Sequence, residues 1–277
     1  MRNVLFHVDD DIRLRIRHLR GRTRDLAGEH IIVLDDKRRI VLDIAWAEIG
    51  LTEEDLSLLL NRYVFGYDGS PLSNLVVKTE GQHITQKGVM HKVVDIPFEM
   101  DAELTVTEQG LIRIHPTKIR IGIIDGGGLM RALGIDLSEL LDLSKAKGAT
   151  IEGNDILLDP LKILPPPAIQ GELTSIRVEG DEIVQVFGSS SARGAEPLPL
   201  PVPAQNYVFF RGGTIRFGKL YMVQSQLIAI DEDAKDPFDF YLDYYHTQLI
   251  EGYHTTLQQY GLMAVFPDFN DLGKNDK

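Results

Sequence analysis

The sequence predicts an α+β protein dominated by antiparallel β-sheet, and three observations carry that prediction. Phe98, Met100, Ala102, Leu104 and Val106 alternate with Glu99, Asp101, Glu103, Thr105 and Thr107. That period of two is the signature of a strand with one apolar face. Leu56, Leu59, Leu60, Tyr63 and Val64 instead recur at helical spacing, so a helix interrupts the strands. Pro197, Pro199, Pro201 and Pro203 occupy every second position, where neither ladder nor helix can form.

The first strand signal is Ile12 to Arg17. Ile12, Leu14 and Ile16 fall on one face, and Arg13, Arg15 and Arg17 on the other. Such a cationic face suits contact with an anionic surface, and it equally suits plain solvation. Strand signals follow at 31–34 and 39–46. Thr52 then caps the helix, with Glu53, Glu54 and Asp55 in its first turn, where acids complement the helix dipole. Tyr67-Asp68-Gly69-Ser70-Pro71 stops it. Residues 75–124 read as a β meander in which Ile119, Ile121 and Ile123 share one face. Strands this long and one-sided predict a large curved sheet with one apolar side.

Gly126-Gly127-Gly128 leads into a second helical stretch, 129–143. Leu133, Leu137, Leu140 and Leu141 supply its apolar face, and Asp136 with Glu139 can restart it after Gly134. Short strands return at 155–158, 173–178 and 182–187. The expected division is a β-rich, groove-forming domain over 1–188, a Ser/Pro-rich linker over 189–205, and a C-terminal extension over 206–277. That extension reads as a β-hairpin followed by a helix from Asp236-Pro237 through Thr255 and a closing strand at 262–266.

Composition narrows the function. A net charge of −12 repels phosphate backbones, so nucleic acid is not an expected partner. The charge is uneven: residues 1–40 carry ten Lys/Arg against seven Asp/Glu, whereas 231–277 carry three against ten. Only the N-terminal part could meet an anionic surface. The absence of cysteine removes disulfides, thiolate nucleophiles and thiolate metal sites. No run approaches the ~18 apolar residues of a membrane span.

Catalytic motifs are missing. The strand-to-helix turn Asp125-Gly126-Gly127-Gly128 has Arg131 where a dinucleotide fingerprint needs its third glycine, and it lacks the Gly-Lys-Ser/Thr of a P-loop. Asp243-x-x-His246 and Glu251-x-x-His254 would share a helix face and could meet a metal, but the further helices that build a two-metal bundle are absent. No Gly-x-Ser-x-Gly elbow occurs, and Ser189, Ser190 and Ser191 lie in the linker with nothing to orient a base. No catalytic residue, metal ligand or cofactor is therefore assigned.

The order of elements carries a resemblance. The helix Leu51-Thr52-Glu53-Glu54-Asp55-Leu56-Ser57-Leu58-Leu59-Leu60 precedes long alternating strands. The stretch 128–143, Gly153-Asn154-Asp155-Ile156-Leu157-Leu158-Asp159-Pro160 and Gly171-Glu172-Leu173-Thr174 follow. Over about residues 38–188 this resembles the LmeA-type proteins and, more distantly, the tubular lipid-binding (TULIP) domains. Residues 211–218 resemble phrases of AsmA-like envelope proteins. The resemblance implies a highly curved antiparallel sheet wrapped around one or two helices, an apolar groove for acyl chains, and export to the bacterial cell envelope. Met1 to Asp11 lacks a signal-peptide layout; an exported form would have lost its signal before Met1, and a cytoplasmic location stays open.

The expected function is binding or transfer of a lipid or other apolar small molecule, with peripheral membrane contact. Its groove residues would be Leu56, Leu59, Leu60, Tyr63, Phe98, Met100, Leu104, Ile119, Ile121 and Leu133. Arg13, Arg15 and Arg17 would meet an anionic surface. Two alternatives remain: a fully packed protein-interaction module, and a hydrolase with a scattered carboxylate/His site.

Overall fold

The computed structural model describes all residues except 123, 126–135, 195–197, 258–260 and 274–277. The α+β class stands: large antiparallel and mixed sheets carry a few short helices. The chain forms two compact units, one of residues 1–49, 166–171 and 187–277, the other of residues 50–165 and 172–186. The units do not follow the expected division at 188–205. Residues 1–49 belong with the C-terminal third because Arg2–His7 takes partners from it: Arg2 is in register with Tyr207, and Val4 and Phe6 with Phe238 and Phe240.

In the first unit the strand order is Ile40–Thr52, Arg13–Asp25, Arg2–His7, Tyr207–Arg211, Gln226–Asp231, Leu262–Phe266 and Tyr253–Thr256. A small second sheet joins Leu220–Val223, Thr214–Phe217 and Ile31–Val33. The arginine strand behaves as its alternation requires at first: Leu14 and Ile16 are buried and Arg15 is exposed. The next inward position is Leu19, three residues after Ile16, so the alternation shifts and Arg20, Arg22 and Arg24 follow at even numbers.

Two expectations fail in this unit. The helix over 236–255 is replaced by strand Phe238–Phe240, a 3-10 turn Leu242–Tyr244, helix Tyr245–Glu251 and strand Tyr253–Thr256. Phe238 and Phe240 are both buried, and Phe240 lies 6.1 Å from Phe6 and stacks at 6.0 Å on Phe266 (ring centroids). Burial of those rings at period two outweighs the local helix signals of Asp236 and Pro237. Gly252 ends the helix because a β-carbon there would overlap the Val265 carbonyl oxygen. The linker is also more ordered than expected. Ser190–Arg193 forms one helical turn, held by a hydrogen bond from the Arg20 guanidinium to the Ala192 carbonyl. Gly188 sits at φ 81° with the Ala45 carbonyl where a β-carbon would be.

The second unit is the predicted meander. Leu72–Glu80, His83–His91, Asp95–Val106 and Ile112–Ile121 pair antiparallel in sequence order, and Asp155–Leu158 and Ala149–Glu152 extend the sheet beyond Ile112–Ile121. Thr52 caps helix Glu53–Leu59 as expected, its Oγ1 accepting from the Asp55 N–H at 3.1 Å. The helix runs on into a π turn, Leu60–Val64. Of the long second helix expected over 129–143, the described part contains one turn, Leu137–Leu140, and the glycine-rich turn at 126–128 lies outside the described residues.

Candidate functional site

A groove of the first unit has a volume of about 1730 Å³ and is built on the arginine strand. Arg17, Arg20, Arg22 and Arg24 come from that strand, Arg2 and Arg211 from neighbouring strands, and Arg193 from the helical turn. Apart from His18 and His30, every cationic side chain lining it is arginine, and the carboxylates among its lining residues are Asp25 and Glu48. Among the described residues, seven guanidiniums against two carboxylates make a positive groove on a chain of net charge −12. Guanidinium offers a planar fork of donors matched to phosphate and carboxylate, and it is less tightly hydrated than ammonium.

The walls between these cations are apolar. Buried Ile32, Val208 and Ile215 and half-buried Leu42, Phe209 and Phe210 contribute to them. Trp46, the chain's single tryptophan, lies 5.7 Å from His18 and carries the Arg193 guanidinium 5.7 Å over its ring. Burial holds the His18 pKa below its ordinary 6.5, Arg2 pushes it further down, Glu48 opposes, and Arg193 adds to the lowering. Part of the positive charge is already used. Arg17 pairs with Glu48 at 3.1 Å, and Arg24 pairs with Asp43 and donates to the Gln170 side-chain oxygen at 2.8 Å. Of the three predicted surface arginines, Arg17 lines this groove, whereas half-buried Arg13 and exposed Arg15 do not. All three have partners.

The second unit holds an apolar cavity of about 40 Å³. Phe98, Met100, Ile119 and Ile121, four of the predicted groove residues, line it together with Leu72, Met90, Leu137, Leu140, Leu141, Ile156 and the buried polar Gln86. Cross-strand register explains the grouping: Phe98 faces Ile121 and Met100 faces Ile119. The other predicted residues do not join it. Leu59 and Leu60 are buried, Leu56, Tyr63 and Leu104 are half-buried, and Leu133 lies outside the described residues.

The candidate metal residues are dispersed. His246 bonds Asp35 at 2.7 Å, Asp243 pairs with Lys37, and His254 sits on a strand. Among the described residues no group of three or more His, Asp or Glu is arranged to hold a metal ion. A buried polar pair that the sequence did not suggest joins His7 Nε2 and Asp239 Oδ1 at 2.5 Å, beside the rings of Tyr241 and Phe269. No helix among the described residues is long and apolar enough to cross a membrane.

The missed groove residues had a partial signal. Arg20, Arg22 and Arg24 repeat the spacing of Arg13, Arg15 and Arg17 on one strand. Arg193 and Arg211 gave none, since only the fold brings them to that strand. Comparison with protein-family profiles, with curated proteins and with solved structures gives no match to this chain.

Proposed function

We propose that this protein binds an anionic, lipid-like amphiphile in the arginine groove of its first unit. One observation carries the reading: seven arginines and apolar walls line one groove on a chain whose net charge is −12. A phosphate or carboxylate head group takes the guanidinium forks, and the hydrocarbon next to it covers Ile32, Phe209 and Phe210. The resemblance of residues 38–188 to LmeA-type proteins supports the bacterial cell envelope as the compartment; of the groove it covers only Leu42, Trp46 and Glu48, so the ligand class rests on the groove's own arginines and apolar walls.

Trp46 reports on this groove directly. Titration with monomeric short-chain phosphatidic acid should change its fluorescence saturably, and raising the salt concentration should weaken the response. Short-chain phosphatidylcholine should bind more weakly, and Arg22→Glu combined with Arg211→Glu should abolish the response to both. Equal binding of both lipids by wild type and the double variant would overturn the proposal.

A second reading places an uncharged apolar ligand in the cavity formed by Phe98, Met100, Ile119 and Ile121. It is supported by the convergence of four predicted groove residues on one void. At about 40 Å³ the cavity admits only a very small apolar guest, so xenon binding followed by NMR should be lost in Ile121→Asp and retained in the double arginine variant.

A further inference from the structure

A polar cleft of the second unit contains an arrangement that no motif in the sequence announces. The Ser73 hydroxyl lies 2.8 Å from His91 Nε2, and His91 Nδ1 lies 2.7 Å from Asp95 Oδ1. The three residues come from three consecutive strands: Ser73 from Leu72–Glu80, His91 from the end of His83–His91, Asp95 from the start of Asp95–Val106. Sheet register sets the geometry. His91 is directly opposite Asp95, and Ser73 is opposite Val89, two residues before His91. Diagonal and direct cross-strand neighbours on one face are within side-chain reach.

The proton positions follow from the partners. An ionised carboxylate only accepts, so Nδ1 of neutral His91 carries the hydrogen and Nε2 accepts from the Ser73 hydroxyl. A nucleophile bonded to a base, with the base oriented by a third group, is the arrangement that activates a serine. Two further features sit beside it. Asn74, immediately after Ser73, has φ 52° where the ladder shifts register, and left-handed residues of this kind cluster at functional sites. Val93 and Val94, between His91 and Asp95, leave 100% and 64% of their surface exposed.

We propose that Ser73, His91 and Asp95 form a hydrolytic relay for small polar esters. Leu72 and Ser73 are consecutive in one strand, so Leu72 turns to the buried apolar face and Ser73 to the cleft; the ester therefore sits wholly in the cleft, whose lining includes Asp68, Ser70, Lys92, Asp142, Ser144 and Lys145. Ser73 Oγ bonds the carbonyl carbon as its proton passes to His91 Nε2. The ester C–O bond then breaks, the departing alkoxide takes that proton as an alcohol, and the acyl group stays on Ser73. Water, giving a proton to Nε2, attacks the acyl carbon; the carboxylic acid leaves and the proton returns to Ser73 Oγ. Asp95 is a positioning residue that holds the ring and stabilises the imidazolium. Lys92 and Lys145 line the cleft together with Asp68 and Asp142, and Asp142 interacts with both lysines. This site is independent of the arginine groove.

The test uses the full-length protein with a fluorophosphonate reagent and short-chain p-nitrophenyl esters. One phosphonyl adduct per chain, mapped to Ser73, is expected. Ester hydrolysis should fall about 10²–10⁴-fold in His91→Ala, the usual contribution of a general base, and to the buffer rate in Ser73→Ala. Asp95→Asn should lower kcat with KM unchanged, a split that a general loss of structure would not give. Absence of an adduct on the wild-type protein, or an adduct on another residue, overturns the proposal whatever the variants do. Hydrolysis that survives Ser73→Ala in a folded protein, verified by circular dichroism, overturns it as well.

Discussion

Arg193 lies over the face of Trp46, its guanidinium carbon 5.7 Å from the ring centroid. The pair joins the helical turn Ser190–Arg193 to strand Ile40–Thr52 within the first unit. A cation over an indole face at an exposed site contributes about 0.5–1 kcal/mol. Arg193→Ala should therefore lower stability by about that amount in urea unfolding and shift the Trp46 emission spectrum. An unchanged spectrum would mean that the arginine does not sit on the ring in solution.

His18 gives the arginine groove a pH dependence. Burial and Arg2 hold its pKa below 6.5, with Arg193 adding to the effect and Glu48 working against it, so the ring is neutral at pH 7. A bound anion favours the imidazolium. By linkage, affinity for an anion rises as pH falls below 6.5 and His18 takes up a proton. The same lowered pKa has the opposite consequence for folding: the ring's contribution to stability is present above 6.5 and is lost as pH falls through the folded value. Trp46 titrations at pH 5.5 and 7.5 with short-chain phosphatidylglycerol, whose phosphodiester does not titrate in this range, should show tighter binding at the lower pH in wild type and a smaller difference in His18→Gln.

What could be read from the sequence depended on how far apart the interacting residues lie. The strand containing Phe98, Met100 and Leu104 was legible because alternation within one segment records which face is buried. Its pairing with Ile119 and Ile121 was also accessible, since a short turn joins neighbouring strands of a meander. Phe238 and Phe240 were misread because Asp236, Pro237 and the spaced tyrosines make a local helix signal, while the competing partners are Val4 and Phe6 near the other end of the chain. The groove was half legible for the same reason: one strand supplies Arg17 to Arg24, and distant segments supply Arg193 and Arg211. The Ser73 relay was invisible because its serine and histidine lie on separate strands at unrelated spacing.

Asn61 substitutes for a missing strand at the irregularity after Ser73. Its side-chain amide donates to the Leu75 carbonyl at 2.7 Å, and its oxygen accepts from the Leu75 N–H at 2.8 Å. Leu75 is 1% exposed, so water cannot replace either bond. Leaving a buried backbone group unpaired costs about 1–3 kcal/mol. Asn61→Ala should destabilise the protein at the upper end of that range or beyond, because two groups are orphaned. Chemical denaturation measures the loss; a change within experimental error would show that the strand repairs itself by sliding past the register shift.

Asp268 stores an unfavourable charge next to the buried His7–Asp239 pair. Burial raises its pKa to about 7, and the negative charges of Asp231, Asp239 and Asp236 push the same way, while the Asp239 N–H, donating at 2.8 Å, opposes them. Because the folded state binds this proton more tightly than the unfolded state does, the group's contribution to stability is full below pH 3.8. It is lost as pH rises toward 7. Asn at this position keeps an oxygen to accept from the Asp239 N–H and cannot ionise. Asp268→Asn should thus raise the unfolding midpoint at pH 7.5, leave it nearly unchanged at pH 4, and flatten the slope of stability between those values. Equal effects at both pH values would assign the change to packing and remove the carboxyl from the pH response.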